Sequence, residues 1–191
     1  NTFEIIHTKN FVKGTDTPLE AAKRGKDTSM WLAIEDVKNK KADIIISAGN
    51  TGALLVIAKL NLKMIENIDK PALSGLWPNK NGTNIVLDLG ANIECSEKNL
   101  IDFSLMGSAL FKSLFPNEEP KVALLNIGSE ELKGTEMIKA TYKTLNNQSN
   151  KIYNFKGYIE GNEMMNGDVN VIVTDGFTGN VALKTAEGTA N

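Results

Sequence analysis

The chain has 191 residues, of which 41% are hydrophobic and 23% charged, enough for a sizeable core and unlike disordered or fibrous chains. Its formal net charge of −2, with no arginine-rich cluster, gives no basis for a nucleic-acid partner. The single cysteine, Cys95, excludes an intramolecular disulfide and a multi-cysteine zinc site, and fits a reducing cytoplasm.

Strands are predicted at Thr2–His7, Asp43–Ser47, Ala72–Leu76, Ile85–Leu89, Val122–Asn126, Ile152–Phe155 and Val169–Thr174. The central ones are continuous apolar runs, as in strands buried on both faces of a parallel sheet. Between them lie helical patterns. Met30, Trp31 and Ile34 mark the core face of a helix begun at Thr28 or Ser29. Leu100, Phe103, Gly107, Leu110, Phe111 and Leu114 recur at spacings of three and four after Ser96 or Asn99, and Met137, Ile138, Tyr142 and Leu145 do the same. Lys80–Thr83 and Asn146–Asn150 read as turns. No apolar run nears the roughly 18 residues that a membrane-spanning helix needs. The alternation predicts an α/β fold: a three-layer α/β/α, Rossmann-like domain with a mostly parallel sheet. Residues 1–191 are expected to form a single α/β catalytic domain.

One local pattern occurs twice. The segment Ala42–Leu60, "ADIIISAGNTGALLVIAKL", runs from an apolar block through Gly49-Asn50-Thr51-Gly52 into an apolar helix. The segment Asn170–Gly188 repeats it through Gly176-Phe177-Thr178-Gly179. Two further strands end in "LDLGAN" (Leu87–Asn92) and "LLNIGSEELKG" (Leu124–Gly134). In an open α/β sheet, ligands bind outside the carboxyl ends of the strands. Glycine there lets backbone N–H groups face a ligand, and the following helix adds partial positive charge, so four such ends predict one anion-binding rim. Ser47, Thr51 and Thr178 would add hydroxyl donors, although Thr51 and Thr178 also suit plain N-caps. Neither the dinucleotide fingerprint nor the P-loop is present.

Other residues narrow the chemistry. His7 is the only histidine and falls at the end of a predicted edge strand, which argues against histidine-dependent triads. Cys95 has no histidine partner and reads as structural. Lys133 suits either an oxyanion-binding point charge or a solvated loop residue. Asp88 and Asp175, at strand ends, could orient a phosphate-bound water, a metal or a neighbouring amide. No metal is expected, because no carboxylate–histidine cluster has ligand spacing.

The segments "KDTSM", "SAGNTGAL", "LDLGAN", "NIGSEELKG", "FKGYIEGNEM" and "DGFTGNVALKTAEG", in that order, resemble the PlsX family of phosphate acyltransferases along essentially the whole chain. The resemblance implies an architecture related to the phosphotransacetylase and isocitrate/isopropylmalate dehydrogenase folds. It implies transfer of a fatty acyl group from an acyl carrier protein thioester to inorganic phosphate, giving acyl-phosphate for phospholipid synthesis, with no cofactor. Family members begin with an Asp-x-Met-Gly-Gly-Asp loop and continue into a helical region beyond "KTAEGTA", so an interior piece of a longer enzyme is expected. Lys133 and Asn180 match active-site positions of the family and are the expected catalytic donors. Ser47, Gly49, Asn50, Thr51, Gly52, Asp88, Asn92, Asp175, Thr178 and Gly179 would shape the phosphate and thioester site. A cytoplasmic homodimer is implied, with peripheral association at the inner face of the membrane or a membrane acyltransferase partner. Two alternatives stand beside this reading: phosphotransacetylase-like transfer from acyl-coenzyme A, and a non-catalytic phosphate or acyl-phosphate binding domain.

Overall fold

The computed structural model describes residues 3–148 and 152–190, and the chain divides into two compact units, Asn1–Asn67 and Ile68–Asn191. In the first unit, α1 (Pro18–Lys23), α2 (Ser29–Lys38) and α3 (Thr51–Leu62) pack around Ala21, Met30, Trp31, Ile34, Ala53 and Ile57. Their starts follow from capping chemistry. Thr17, Thr28 and Asn50 each accept a backbone N–H of the first turn, satisfying donors that a helix leaves free.

Two predicted strands of this unit do not form. Residues 3–7 and 43–47 are irregular among the described residues, and Thr2 lies outside them. The physical reason is that a strand has no hydrogen bonds of its own; it exists only beside a partner. Among the described residues, the one ladder contact in this unit is an isolated bridge between Asn10 and Thr28. Ile5 and Ile46, which strand patterning would bury, are 78% and 91% exposed.

The second unit holds a five-stranded sheet. Strands β1 (Ser74–Asn79), β2 (Gly82–Leu87), β3 (Lys121–Leu125), β4 (Asn154–Ile159) and β5 (Val171–Val173) stand in the order β1-β2-β5-β3-β4. Only the β1–β2 pair is antiparallel, a hairpin turning at Lys80-Asn81 as the turn reading expects. The other three pairings are parallel. Side chains alternate across the sheet. Ile85, Leu87, Val122, Leu124, Val171 and Val173 meet α4 (Glu97–Leu114) and α5 (Glu136–Asn147) on one face. Val86, Ala123, Leu125 and Ile172 meet Ala182, Leu183 and Ala186 of α6 (Gly176–Ala190) on the other. This is the expected three-layer α/β/α arrangement with a mostly parallel sheet. The continuous apolar runs are strands buried on both sides.

Candidate active site

Because β2, β5 and β3 are parallel neighbours, the loops that follow them emerge side by side at one edge of the sheet. Three of the four glycine-marked strand ends therefore come together in the second unit; the fourth, Gly49–Gly52, belongs to the first unit.

The loop after β2 is built around one carboxylate. Asp88 is fully buried, and its Oδ1 accepts the N–H groups of Leu73 (3.0 Å), Gly90 (3.1 Å) and Ala91 (2.9 Å). Its Oδ2 accepts the backbone N–H of Asn92 (2.8 Å) and that residue's Nδ2 (2.7 Å), which also donates to the carbonyl of Pro71 (2.7 Å). Charge-assisted bonds of this kind are the strong ones. Asp88 and Asn92 thus spend their side chains on fixing the loop, and the surface they present is the backbone they shape.

What approaches the glycines of α6 is that same loop. A methyl group at Gly176 would lie 2.5 Å from the carbonyl oxygen of Asn92, and one at Gly179 would overlap the carbonyl oxygen of Asp88 and stand 2.9 Å from Thr174 Cγ2. The Gly176 N–H donates to that Asn92 carbonyl at 2.8 Å. Gly179→Ala is accordingly expected to destabilise the second unit by about 3 kcal/mol, since the neighbour is backbone and cannot swing aside. Gly188→Ala, on the same helix with open space around it, should instead stabilise by about 0.5–1 kcal/mol. Urea unfolding of both variants checks the pair, and equal small losses would remove the packing explanation.

Asp175 caps α6: its Oδ1 accepts the Thr178 N–H and its Oδ2 the Thr178 hydroxyl, each at 2.9 Å. A carboxylate therefore already stands at the positive end of this helix. Asn180, one turn further on, donates from Nδ2 to the carbonyl of Leu89 at 3.2 Å and sits over Gly90. Its carboxamide oxygen and second N–H proton stay unengaged at the sheet edge, among the described residues.

The loop after β3 is held from within by Asn126. Its Nδ2 donates to the carbonyls of Gly128 and Lys133, both at 3.1 Å, while its Oδ1 packs directly on Gly134. Gly134 also has φ of +94°, so both contact and conformation favour glycine there. The effect is to present Lys133 outward. Its backbone is fixed by a bond to the Glu130 carbonyl (2.9 Å), its side chain is exposed, and its ammonium makes no ion pair or hydrogen bond among the described residues. Thr135 then caps α5.

In the first unit, the Gly49–Gly52 turn has a different character. Asn50 caps α3 through Ala53 N–H (3.0 Å), and its Nδ2 donates to the Asp16 carbonyl at 2.8 Å. Ser47 Oγ accepts the Gly49 N–H at 3.3 Å. Gly52 faces Pro18, and Gly49 faces Met30 and Ser47. The first turn of α3 carries no acidic residue, and Ser47, Gly49 and Thr51 are exposed. Its cap is neutral where that of α6 is charged, which leaves its N–H groups and dipole open to an anion.

Cys95 is half-buried, with its thiol 3.7 Å from the Asn92 carbonyl. Burial is the main cause that pushes its pKa upward, with the Asp88 carboxylate adding to it, so the thiolate is disfavoured. Among the described residues, no group of three His, Cys, Asp or Glu side chains could hold a metal ion. Sequence reasoning did not find Asn126 as the organiser of the lysine loop, or a cavity beside α6. The cavity's only sequence signal is a run of small residues, Ala182, Thr185, Ala186 and Thr189, at helical spacing.

Comparison with known proteins agrees with this architecture. The sequence matches the family described as "Fatty acid synthesis protein" over residues 1–191. It is 77% identical to a phosphate acyltransferase of Pelagibacter ubique over all 191 residues, and 46% identical to one of Maricaulis maris over 98% of the chain. The chain spans 57% and 53% of the length of those two relatives. Among solved structures, a phosphotransacetylase of Streptococcus pyogenes superposes with a TM-score of 0.62 at 16% identity, covering 83% of this chain and 54% of that one. A branched-chain phosphotransacylase of Enterococcus faecalis gives 0.56 at 18% identity, covering 98% of this chain and 72% of that one. These likenesses are in fold. On its own sequence, the chain belongs to the fatty acid synthesis protein family, the phosphate acyltransferase family that its motifs resemble.

Proposed function

We propose that this chain carries the catalytic part of an enzyme that transfers a fatty acyl group from an acyl carrier protein thioester to inorganic phosphate. The observation that supports this most is the Lys133 ammonium, unpaired among the described residues and held out by the Asn126 loop at the sheet edge where the Asp88 loop lies and α6 begins. Phosphate is nucleophilic enough at neutral pH to attack a thioester without a strong base. An oxygen of phosphate forms the new bond to the carbonyl carbon, the tetrahedral oxyanion collapses, and the carbon–sulfur bond breaks with its electron pair leaving on sulfur. The protein's work is positioning and charge stabilisation. Lys133 supplies a cation to the phosphate or the oxyanion, and Asn180 supplies an N–H. Asp88, Asn92, Asp175 and Gly179 keep the edge in shape. Within the first unit, Ser47, Gly49, Asn50, Thr51 and Gly52 surround the open start of α3, a place suited to an anion, while in the second unit the Thr178 hydroxyl is spent on Asp175 and helps hold the start of α6. For the whole protein, the reading includes a cytoplasmic homodimer that meets the membrane peripherally and passes acyl-phosphate to a membrane acyltransferase.

The test is acyl-phosphate formation, trapped as the hydroxamate, with inorganic phosphate and either acyl carrier protein thioester or acyl-coenzyme A. Faster turnover with the carrier protein is expected. Preference for acyl-coenzyme A would transfer the reading to a phosphotransacetylase-like reaction. Tight phosphate binding without product from either donor would reduce the chain to a binding domain.

A further inference from the structure

The face of the sheet covered by α6 is not filled. A cavity of about 980 Å³ lies between α6 and the ends of β1 and β3, within the size range of small-molecule sites. Its two ends differ in chemistry. Asn126, Gly134, Thr135, Asp175 and Thr178 form one end, and these belong to the loops of the candidate active site. The remainder is mainly apolar, walled by Trp77, Leu125, Met164, Val181 and Ala186, with Thr185 and Thr189 of α6 as its polar members. Small side chains on this side of α6 keep the space open, since larger ones at Ala182, Thr185 or Ala186 would project into it.

We propose that this cavity is the subsite for the acyl chain, with the chain's reactive end at the polar loops and its hydrocarbon running along α6. An occupant must match a polar head at the loops of Asn126 and Asp175 and an apolar tail beneath Trp77, and a fatty acyl phosphate or thioester has that shape. The assignment rests on the acyl-transfer reading above and adds to it the place where the chain lies.

Alkyl phosphonates from ethyl to dodecyl serve as unreactive probes of the 191-residue chain. Affinity should tighten by about fourfold per added methylene until the cavity is full, because each buried methylene carries a similar transfer free energy. A terminal bromine on the dodecyl probe should quench Trp77, a contact effect the unbrominated probe lacks. Thr185→Phe, a change at an exposed helix position, should flatten the chain-length series and abolish the quenching while leaving ethylphosphonate binding unchanged; Ala182→Leu provides a second, smaller obstruction. A flat series in the unaltered chain overturns the proposal. So does a chain that dimerises through this face, becomes monomeric in Thr185→Phe and keeps its series, since a second copy is then the occupant. The two readings fail separately. Length-dependent binding with quenching but no acyl-phosphate formation refutes the reaction and retains the subsite. Acyl-phosphate formation with no quenching, and indifferent to Thr185→Phe, refutes the subsite alone.

Discussion

Replacing Lys133 with alanine is expected to slow acyl-phosphate formation by a factor on the order of 10²–10³, the usual cost of one preorganised donor at a developing oxyanion. The fold should survive, because the side chain is exposed and the loop is held by Asn126 and by backbone bonds rather than by the ammonium. If the lysine acts mainly in the transition state, kcat falls and KM for phosphate stays close to its starting value; a rise in KM alone would mean ground-state phosphate binding. Lys133→Arg keeps the charge but exchanges a compact ammonium for a planar fork, so partial recovery is expected. Asn180→Ala should fall in the same range, and the double variant should lose less than the product of the two, as groups acting as a unit do. Near-normal turnover in Lys133→Ala would make the residue an ordinary solvated lysine.

The second large effect is structural. Asp88→Ala removes the acceptor of five N–H bonds at once, four of them from backbone, in a residue with no exposed surface. Leaving buried donors unsatisfied is more costly than the bonds are individually worth, so a loss of about 4 kcal/mol in the second unit is expected. Asp88→Asn gives a graded control. One oxygen can still serve Leu73, Gly90 and Ala91, but the new amide faces the two Asn92 donors, and about half the loss should follow. Trp77 fluorescence in a Trp31→Phe background reports this unit during urea unfolding. A shift below about 1 kcal/mol for Asp88→Ala would show that the loop is held by other contacts.

Much of this architecture was legible because its signals are local. Thr28, Ser96 and Thr135 cap the helices the spacing predicts, and the strand runs at Ile85, Val122 and Val171 carry the β-branched, doubly buried pattern of a central parallel sheet. The segments 3–7 and 43–47 read equally well as strands, yet their composition only describes a residue that fits beside a partner. The site was legible in outline and not in detail. Asp88 and Asp175 look in sequence like carboxylates aimed at a ligand, whereas their oxygens turn back onto N–H groups two to four residues ahead. That spacing is the signature of side chains that imitate backbone turns, which a search for acid–base groups passes over. The glycines of α6 likewise signalled a close approach without saying by what.

The two margins of the sheet bear on how copies of this protein can associate. On one side β1 carries Pro78, which has no N–H to offer a neighbour. On the other, β4 carries Lys156 and Gly157, the latter at φ +87°, beside an irregularity in register between Val122 and Leu124. Features of this kind discourage the addition of a further strand and the edge-to-edge stacking that leads to aggregates. Two copies of this 191-residue chain are therefore not expected to join by extending the sheet across either margin.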